Sequence, residues 1–235
     1  MLDNINIEDV LFLDIETAPV VYGYSELDNT TRKLWDVKFR NQQVTDPTEQ
    51  YKKAGIYAEF AKIICISIGI VTKERAFRVK SFYGDDEKKL LQEFFELLNS
   101  RYNKEHHLLC AHNGKEFDFP FICRRALVNG LKLPKILDIA GKKPWEVKHL
   151  DTMELWKFGD YKNYTSLTLL ANLFHIPTPK DDIDGSDVAR VYWEEKNLER
   201  IVTYCQKDVL TVAQLLLRFK GEPLLEASNI NVANN

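Results

Sequence analysis

Three short segments place acids where the surrounding pattern calls for apolar side chains. The first is Val10-Leu11-Phe12-Leu13-Asp14-Ile15-Glu16, a β-friendly run broken by two carboxylates near its end. On a strand, residues i and i+2 share a face, so Asp14 and Glu16 converge on one spot. An ionised carboxylate in a buried strand is costly unless positive charge meets it. Hard divalent cations such as Mg²⁺ take oxygen ligands, and this pair supplies half of such a site; two solvated acids past the rim of a sheet would show the same pattern. The second segment runs from Asn113 to Asp118, a polar turn that delivers an acid to a helix start among Phe117, Phe119 and Phe121. Asp118 reads there as an N-cap, which does not prevent it from also holding a metal. The third is Tyr204-Cys205-Gln206-Lys207-Asp208, with Tyr204 and Asp208 one helical turn apart on one face and Asp208 inside an apolar stripe. A tyrosine hydrogen bond to the acid within the core would satisfy the same spacing.

Periodicity indicates the elements that must carry these acids. The length of 235 residues suits a single domain over 1–235, with a core of about 8–220 and a polar, weakly periodic inserted arm over 22–57. Residues 10–16 read as a buried strand, and 63–71 and 76–83 as an antiparallel hairpin about Lys73-Glu74-Arg75, which makes the sheet mixed. Gly84-Asp85-Asp86-Glu87 opens a helix whose apolar residues are Leu90, Leu91, Phe94, Phe95, Leu97 and Leu98; a short strand covers 108–112; a helix starts at Asp118 and stops at Gly130. Residues 165–174 read as helix, Pro177-Thr178-Pro179 as a break, and 181–187 as a solvated acidic loop. The last helix, about 198–219, repeats apolar Val202, Cys205, Val209, Val212, Leu216 and Phe219. A polar, frayed tail is expected over 229–235. Alternating strands and helices imply an α/β sheet with helices on its faces.

Composition narrows the class. With 45% apolar and 29% charged residues, 10 Gly and 8 Pro, the chain is neither collagen-like nor largely disordered. Its longest apolar run, 63–71, falls well short of the ~20 residues of a membrane span, so no membrane partner is expected. The acidic start resembles neither a secretory signal nor a transit peptide, and the expected location is cytoplasmic. Four scattered cysteines without a C-x-x-C pair read as core residues. The net charge of −3, from 32 basic and 35 acidic residues, argues against a domain whose affinity comes from neutralising many phosphates.

Taken together, Asp14-x-Glu16, Asn113-x4-Asp118 and Tyr204-x3-Asp208 resemble the DEDD superfamily of 3′-5′ exonucleases, whose fold is ribonuclease H-like. Tyr204 marks the DEDDy branch; the other branch carries a His before its last Asp, and none lies between His175 and Asp208. His149-Leu150-Asp151-Thr152-Met153 and Asp184-Gly185-Ser186-Asp187-Val188 are similar to segments of the exonuclease domain of family B DNA polymerases. Over about 8–220 the chain looks like the stand-alone exonucleases related to that domain, without a polymerase domain and with the extra segment 22–57. The resemblance implies a mixed central sheet flanked by helices and two-metal phosphodiester hydrolysis. Asp14, Glu16, Asp118 and Asp208 would hold two Mg²⁺ or Mn²⁺ ions, and Tyr204 would orient the attacking water. Glu16 and Thr17 would meet the 3′ hydroxyl and Asn113 the terminal nucleotide or a bridging water; Phe117 and Phe121 are candidates to stack on bases, a core role being the alternative for Phe121. Asp151 reads as a helix cap or a support behind the site.

The expected partner is therefore nucleic acid, single-stranded DNA 3′ ends or frayed ends before RNA. Trimming of RNA 3′ ends and a silent nucleic-acid-binding module are the alternatives, and retention of all four acids and the tyrosine counts against the second. Arg124, Arg125 and the lysines of 132–148 are candidate strand contacts. Arg32, Lys33, Lys38 and Arg40, interleaved with Trp35 and Phe39, form a second basic and aromatic patch in the arm.

Overall fold

A strand that is apolar on both faces must be covered on both, and β1 (Val10–Pro19) is such a strand. The computed structural model of the chain describes residues 2–41, 46–160, 162, 164–177 and 183–232. After β1 come helices α1 (Asn29–Phe39) and α2 (Pro47–Tyr51), then strands β2 (Ala61–Val71) and β3 (Phe77–Tyr83). Helix α3 (Glu87–Arg101), strand β4 (Leu108–Ala111), helix α4 (Asp118–Val128) and strand β5 (Leu150–Asp151) follow. The rest is α5 (Thr152–Lys157), α6 (Leu167–Leu173), the short α7 (Val188–Arg190), α8 (Leu198–Phe219) and β6 (Ile230–Val232). These strands form one sheet in the order β5-β4-β1-β2-β3-β6. β1–β2 and β2–β3 run antiparallel, whereas β1–β4, β4–β5 and β3–β6 run parallel, which is the mixed α/β sheet expected.

Alternation along β1 sorts its side chains between two cores. Leu11, Leu13 and Ile15 pack with Leu90, Leu91 and Phe94 of α3 and Phe119 and Ile122 of α4. Val10 and Phe12 pack with Val209, Val212 and Leu216 of α8. Each such burial is worth about 1.5–3 kcal/mol. Asp14 and Glu16 continue the row that faces α8. On its other edge β1 bonds to β4 only from Val10 to Phe12, so beyond Phe12 the sheet has a notch on that side. His149 secures the neighbouring strand: its Nδ1 accepts the Leu109 N–H at 3.2 Å and its Nε2 donates to the Ile136 carbonyl at 2.8 Å.

Several sequence expectations need correction. Trp35 and Phe39 are not a surface patch; they are 1% and 8% exposed and form a separate aromatic core with Leu27, Tyr51, Ala54 and Phe60. Segment 22–57 is thus a packed subassembly, of which residues 42–45 lie outside the description. Arg32, from the same patch, donates to the Ser25 and Leu27 carbonyls. Arg125 is not a strand contact either. Buried to 8% exposure, it pairs bidentately with Glu87 at 2.9 and 2.7 Å and donates to the Ala58 carbonyl at 2.8 Å. The tail is not frayed throughout, because Ile230–Val232 adds a parallel strand to the open edge of β3. Thr178 and Pro179 of the expected break and Asp181 and Asp182 of the acidic loop lie outside the described residues. Among the described residues no helix is long and apolar enough to cross a membrane.

Two stability predictions follow from these contacts. Removing one partner of a buried ion pair strands the other, so Arg125→Ala is expected to lower urea-unfolding stability by about 3–5 kcal/mol; a loss under 1 kcal/mol would contradict the linkage. Burial pushes the His149 imidazole down to about 4 from its ordinary 6.5. Between those values the folded state binds fewer protons than the unfolded one, so this group's contribution falls as pH falls. Wild type should lose about 2 kcal/mol more than His149→Gln between pH 7 and pH 5 in urea titrations, and equal losses would refute the assignment.

Candidate active site

The notch beside β1 is where the acids meet. Past the end of the β1–β4 ladder the Ile15 N–H has no strand to bond to, and the Asp118 carboxylate takes it at 3.2 Å. Asp118 is the first residue of α4, not its cap. Phe117 occupies the cap position without a side-chain hydrogen bond, which leaves the acid aimed at β1. A register shift between Glu16 and Thr17 bulges β1 at the site, and Ile15, Glu16 and Thr17 all line one cleft, which strict alternation forbids. From the α8 side, Cys205 donates its thiol to the Asp14 carboxylate at 3.3 Å, and Tyr204 hydrogen bonds to Asp208.

Crowding leaves a clear electrostatic signature. Burial raises the Asp14 carboxyl well above its ordinary range, and the charges of Glu16, Asp118 and Asp208 raise it further. Glu16 is raised by burial and then chiefly by Asp208. Asp118 is pushed up to about 7 by burial, with Asp151 and Asp208 adding to it against the opposing Ile15 hydrogen bond. Burial, followed by the charges of Asp208, Glu16 and Asp14, pushes the Tyr204 hydroxyl far above 10, so it stays protonated. The structure therefore brings together five of the sequence-predicted site residues: Asp14, Glu16, Asp118, Tyr204 and Asp208.

Asn113 is held by a neighbour that the sequence only half revealed. Asp151 accepts the Asn113 and Lys115 N–H groups at 2.9 and 3.0 Å through its two oxygens, and also caps α5 through Met153 at 2.9 Å. One carboxylate thus fixes both the turn and the helix after β5. Asn113 itself is left-handed at φ 63°. The next residue must be small, since a Cβ on Gly114 would lie 2.4 Å from that of Ala111. Phe121 is 1% exposed and belongs to the core, whereas Phe117 is half-buried and lines the cleft. This cleft, of about 650 Å³, is walled on one side by Lys52, Lys53 and Ile56. Sequence reasoning missed that wall because its residues sit in a polar stretch with no periodic signal.

The donor set fits a hard divalent cation. Among the described residues no basic side chain pairs with Asp14, Glu16 or Asp118, although all three sit in or beside the core. Ligand atoms of Asp14, Glu16 and Cys205 lie within 4.8 Å of one another. Burial keeps the Cys205 thiol protonated, so it serves Asp14 as a hydrogen-bond donor and leaves the carboxylates as the hard oxygen donors of the set. If so, Mg²⁺ or Mn²⁺ at about 100 times its Kd should raise Tm by roughly 5–10 °C. Asp14→Asn should abolish that shift while leaving the metal-free protein as stable as wild type or more so at pH 8, because it relieves repulsion. An equal shift in wild type and variant, measured by scanning calorimetry, would rule out the acids as ligands.

Residues 56–224 match the family described as predicted 3′-5′ exonuclease related to the exonuclease domain of PolB. That span contains Asp118, Tyr204 and Asp208; Asp14 and Glu16 precede it. A DNA polymerase of Pyrococcus glycovorans is 22% identical over 171 residues, and one of Desulfurococcus sp. (strain Tok) is 24% identical over 170. Each alignment covers 63% of this chain and 21% of the polymerase, so the chain spans about a fifth of these relatives. The structure of the family B DNA polymerase from Pyrobaculum calidifontis superposes with a TM-score of 0.50 at 16% identity, covering 89% of this chain and 24% of the polymerase. The sheet is accordingly ribonuclease H-like, and the chain belongs to the family described as predicted 3′-5′ exonucleases related to the exonuclease domain of family B DNA polymerases.

Proposed function

We propose that this chain is a metal-dependent 3′-5′ exonuclease that removes nucleotides from single-stranded or frayed DNA 3′ ends. The observation that carries the reading is the meeting of Asp14, Glu16, Asp118 and Asp208 at the notch of β1, with no basic partner for the first three among the described residues. These four carboxylates would hold the cations, two Mg²⁺ or Mn²⁺. When bound, such ions lower the pKa of water and neutralise charge on the leaving oxygen. DNA is favoured because the relatives are DNA polymerases.

The chain's own residues divide the remaining work. Hydrolysis breaks the bond between phosphorus and the 3′ oxygen of the preceding nucleotide, and water supplies the hydroxyl and proton that yield a nucleoside 5′-monophosphate. Tyr204, held protonated and bonded to Asp208, positions the water and does not act as its base. Glu16 and Thr17 line the cleft where the terminal sugar would rest, and half-buried Phe117 offers an apolar surface for the base. Asn113, fixed by Asp151, presents its amide at the turn before α4.

The test uses 5′-labelled single-stranded DNA and RNA with Mg²⁺ or Mn²⁺. Wild type is expected to shorten DNA from its 3′ end, with Asp14→Ala and Asp208→Asn slower by at least about 100-fold. Tyr204→Phe should be slower while keeping the metal-induced Tm shift. Absence of metal-dependent shortening by wild type would overturn the proposal, and faster RNA cleavage would move the substrate class to RNA.

A further inference from the structure

The extra segment between β1 and β2 is a folded subassembly whose packing leads directly to the cleft. Its aromatic core, Trp35 against Phe39, Tyr51 and Phe60 with ring centroids 4.3–4.9 Å apart, fixes the turn that follows α2. Thr17, next to Glu16 on the bulge, donates its hydroxyl to the Gly55 carbonyl at 2.7 Å, and the Val20 N–H bonds to the Phe60 carbonyl at 2.9 Å. Buried Ala54 and Tyr51 flank Lys52 and Lys53, which are both exposed. The segment is therefore docked at the acid-bearing end of β1, and its position relative to Glu16 is fixed by packing.

What it presents there is unlike the acids beside it. Lys52, Lys53 and Ile56 face the same cleft as Glu16, Thr17 and Phe117. Lys53 makes no ion pair among the described residues, whereas Lys52 bonds to exposed Glu49 at 2.7 Å. Ile56 is 56% exposed, an apolar side chain held in solvent by a rigid turn. Two cations and one apolar side chain sharing a cleft with Glu16 and an aromatic match an unpaired strand, which carries phosphates along one edge and bases along the other. A volume of about 650 Å³ lies within the range of small-ligand sites.

We infer that segment 22–57 is a single-strand clamp: Lys53, reinforced by Lys52, holds backbone phosphates behind the 3′ end, and Ile56 packs on a base opposite Phe117. This rests on the exonuclease reading for the direction of the strand. The clamp also locates the positive charge that a chain of net charge −3 needs, concentrating it at the cleft.

The experiment measures binding apart from turnover. Fluorescence anisotropy of a labelled 12-nucleotide oligothymidylate with Mg²⁺ is read in the full chain carrying Asp14→Asn, so that the probe survives. Adding Lys52→Glu and Lys53→Glu is expected to raise Kd at least about tenfold and to reduce the log Kd against log salt slope by about 0.7 per lysine. Ile56→Ala should raise Kd about threefold to tenfold without changing that slope. Lys88→Glu with Lys89→Glu, an exposed charge-matched pair outside the cleft, should stay within about twofold. A loss no larger than in this control, or an equal loss of affinity for a blunt duplex, overturns the clamp. In a chain with its acids intact, Lys53→Glu should raise KM about tenfold with kcat within about twofold. Shortening without any lysine effect on Kd sinks the clamp alone; a lysine effect on Kd without shortening sinks the exonuclease reading and leaves strand binding supported.

Discussion

The hydrogen bond from the Ile15 N–H to the Asp118 carboxylate is where sheet, helix and acid cluster are joined. A buried backbone donor must find a partner. β4 serves as the partner strand of β1 only as far as Phe12, so the next stretch of β1 has an open edge inside the protein. A carboxylate at the first turn of α4 closes that edge, in a position the helix dipole also favours. Because the bond fixes Asp118 against the backbone between Asp14 and Glu16, three acids are set by one interaction. Asp208 then arrives from α8, whose apolar face is registered on Val10 and Phe12 of the same strand.

This arrangement is electrostatically costly without a cation. Burial and mutual repulsion raise Asp14, Glu16 and Asp118 together, while the surrounding core supplies the stability that lets the cluster persist. The supporting contacts are distributed accordingly. Arg125 and Glu87 tie α4 to α3, His149 steadies β4, and Asp151 holds the Asn113 turn. None of these residues belongs to the cluster, yet each fixes an element that carries or orients a member of it.

How much of this was legible in the sequence depended on whether the signal was local. β1, β2, β3 and α8 were readable because burial on one or both faces imposes a short-range pattern. The three acidic motifs were readable because each interrupts such a pattern. Segment 22–57 was not, since its core is assembled from Leu27, Trp35, Phe39, Tyr51 and Phe60, too dispersed to show a period. Arg125 looked like a surface cation because its partner lies 38 residues away on another helix. Asp118 was placed one position early as a cap because Phe117, with no polar atom in its side chain, is an improbable residue there. β6 escaped notice because a short polar segment becomes a strand only when an edge such as that of β3 is open to it.

The most direct measurement is anomalous diffraction at the manganese edge from crystals of the wild-type chain equilibrated with Mn²⁺. Strong peaks bounded by the carboxylates of Asp14, Glu16, Asp118 and Asp208, and lost in Asp118→Asn, are the expected result. Saturating Mn²⁺ with no peak at the notch, or with peaks only at exposed acids elsewhere, would contradict a cation-holding active site.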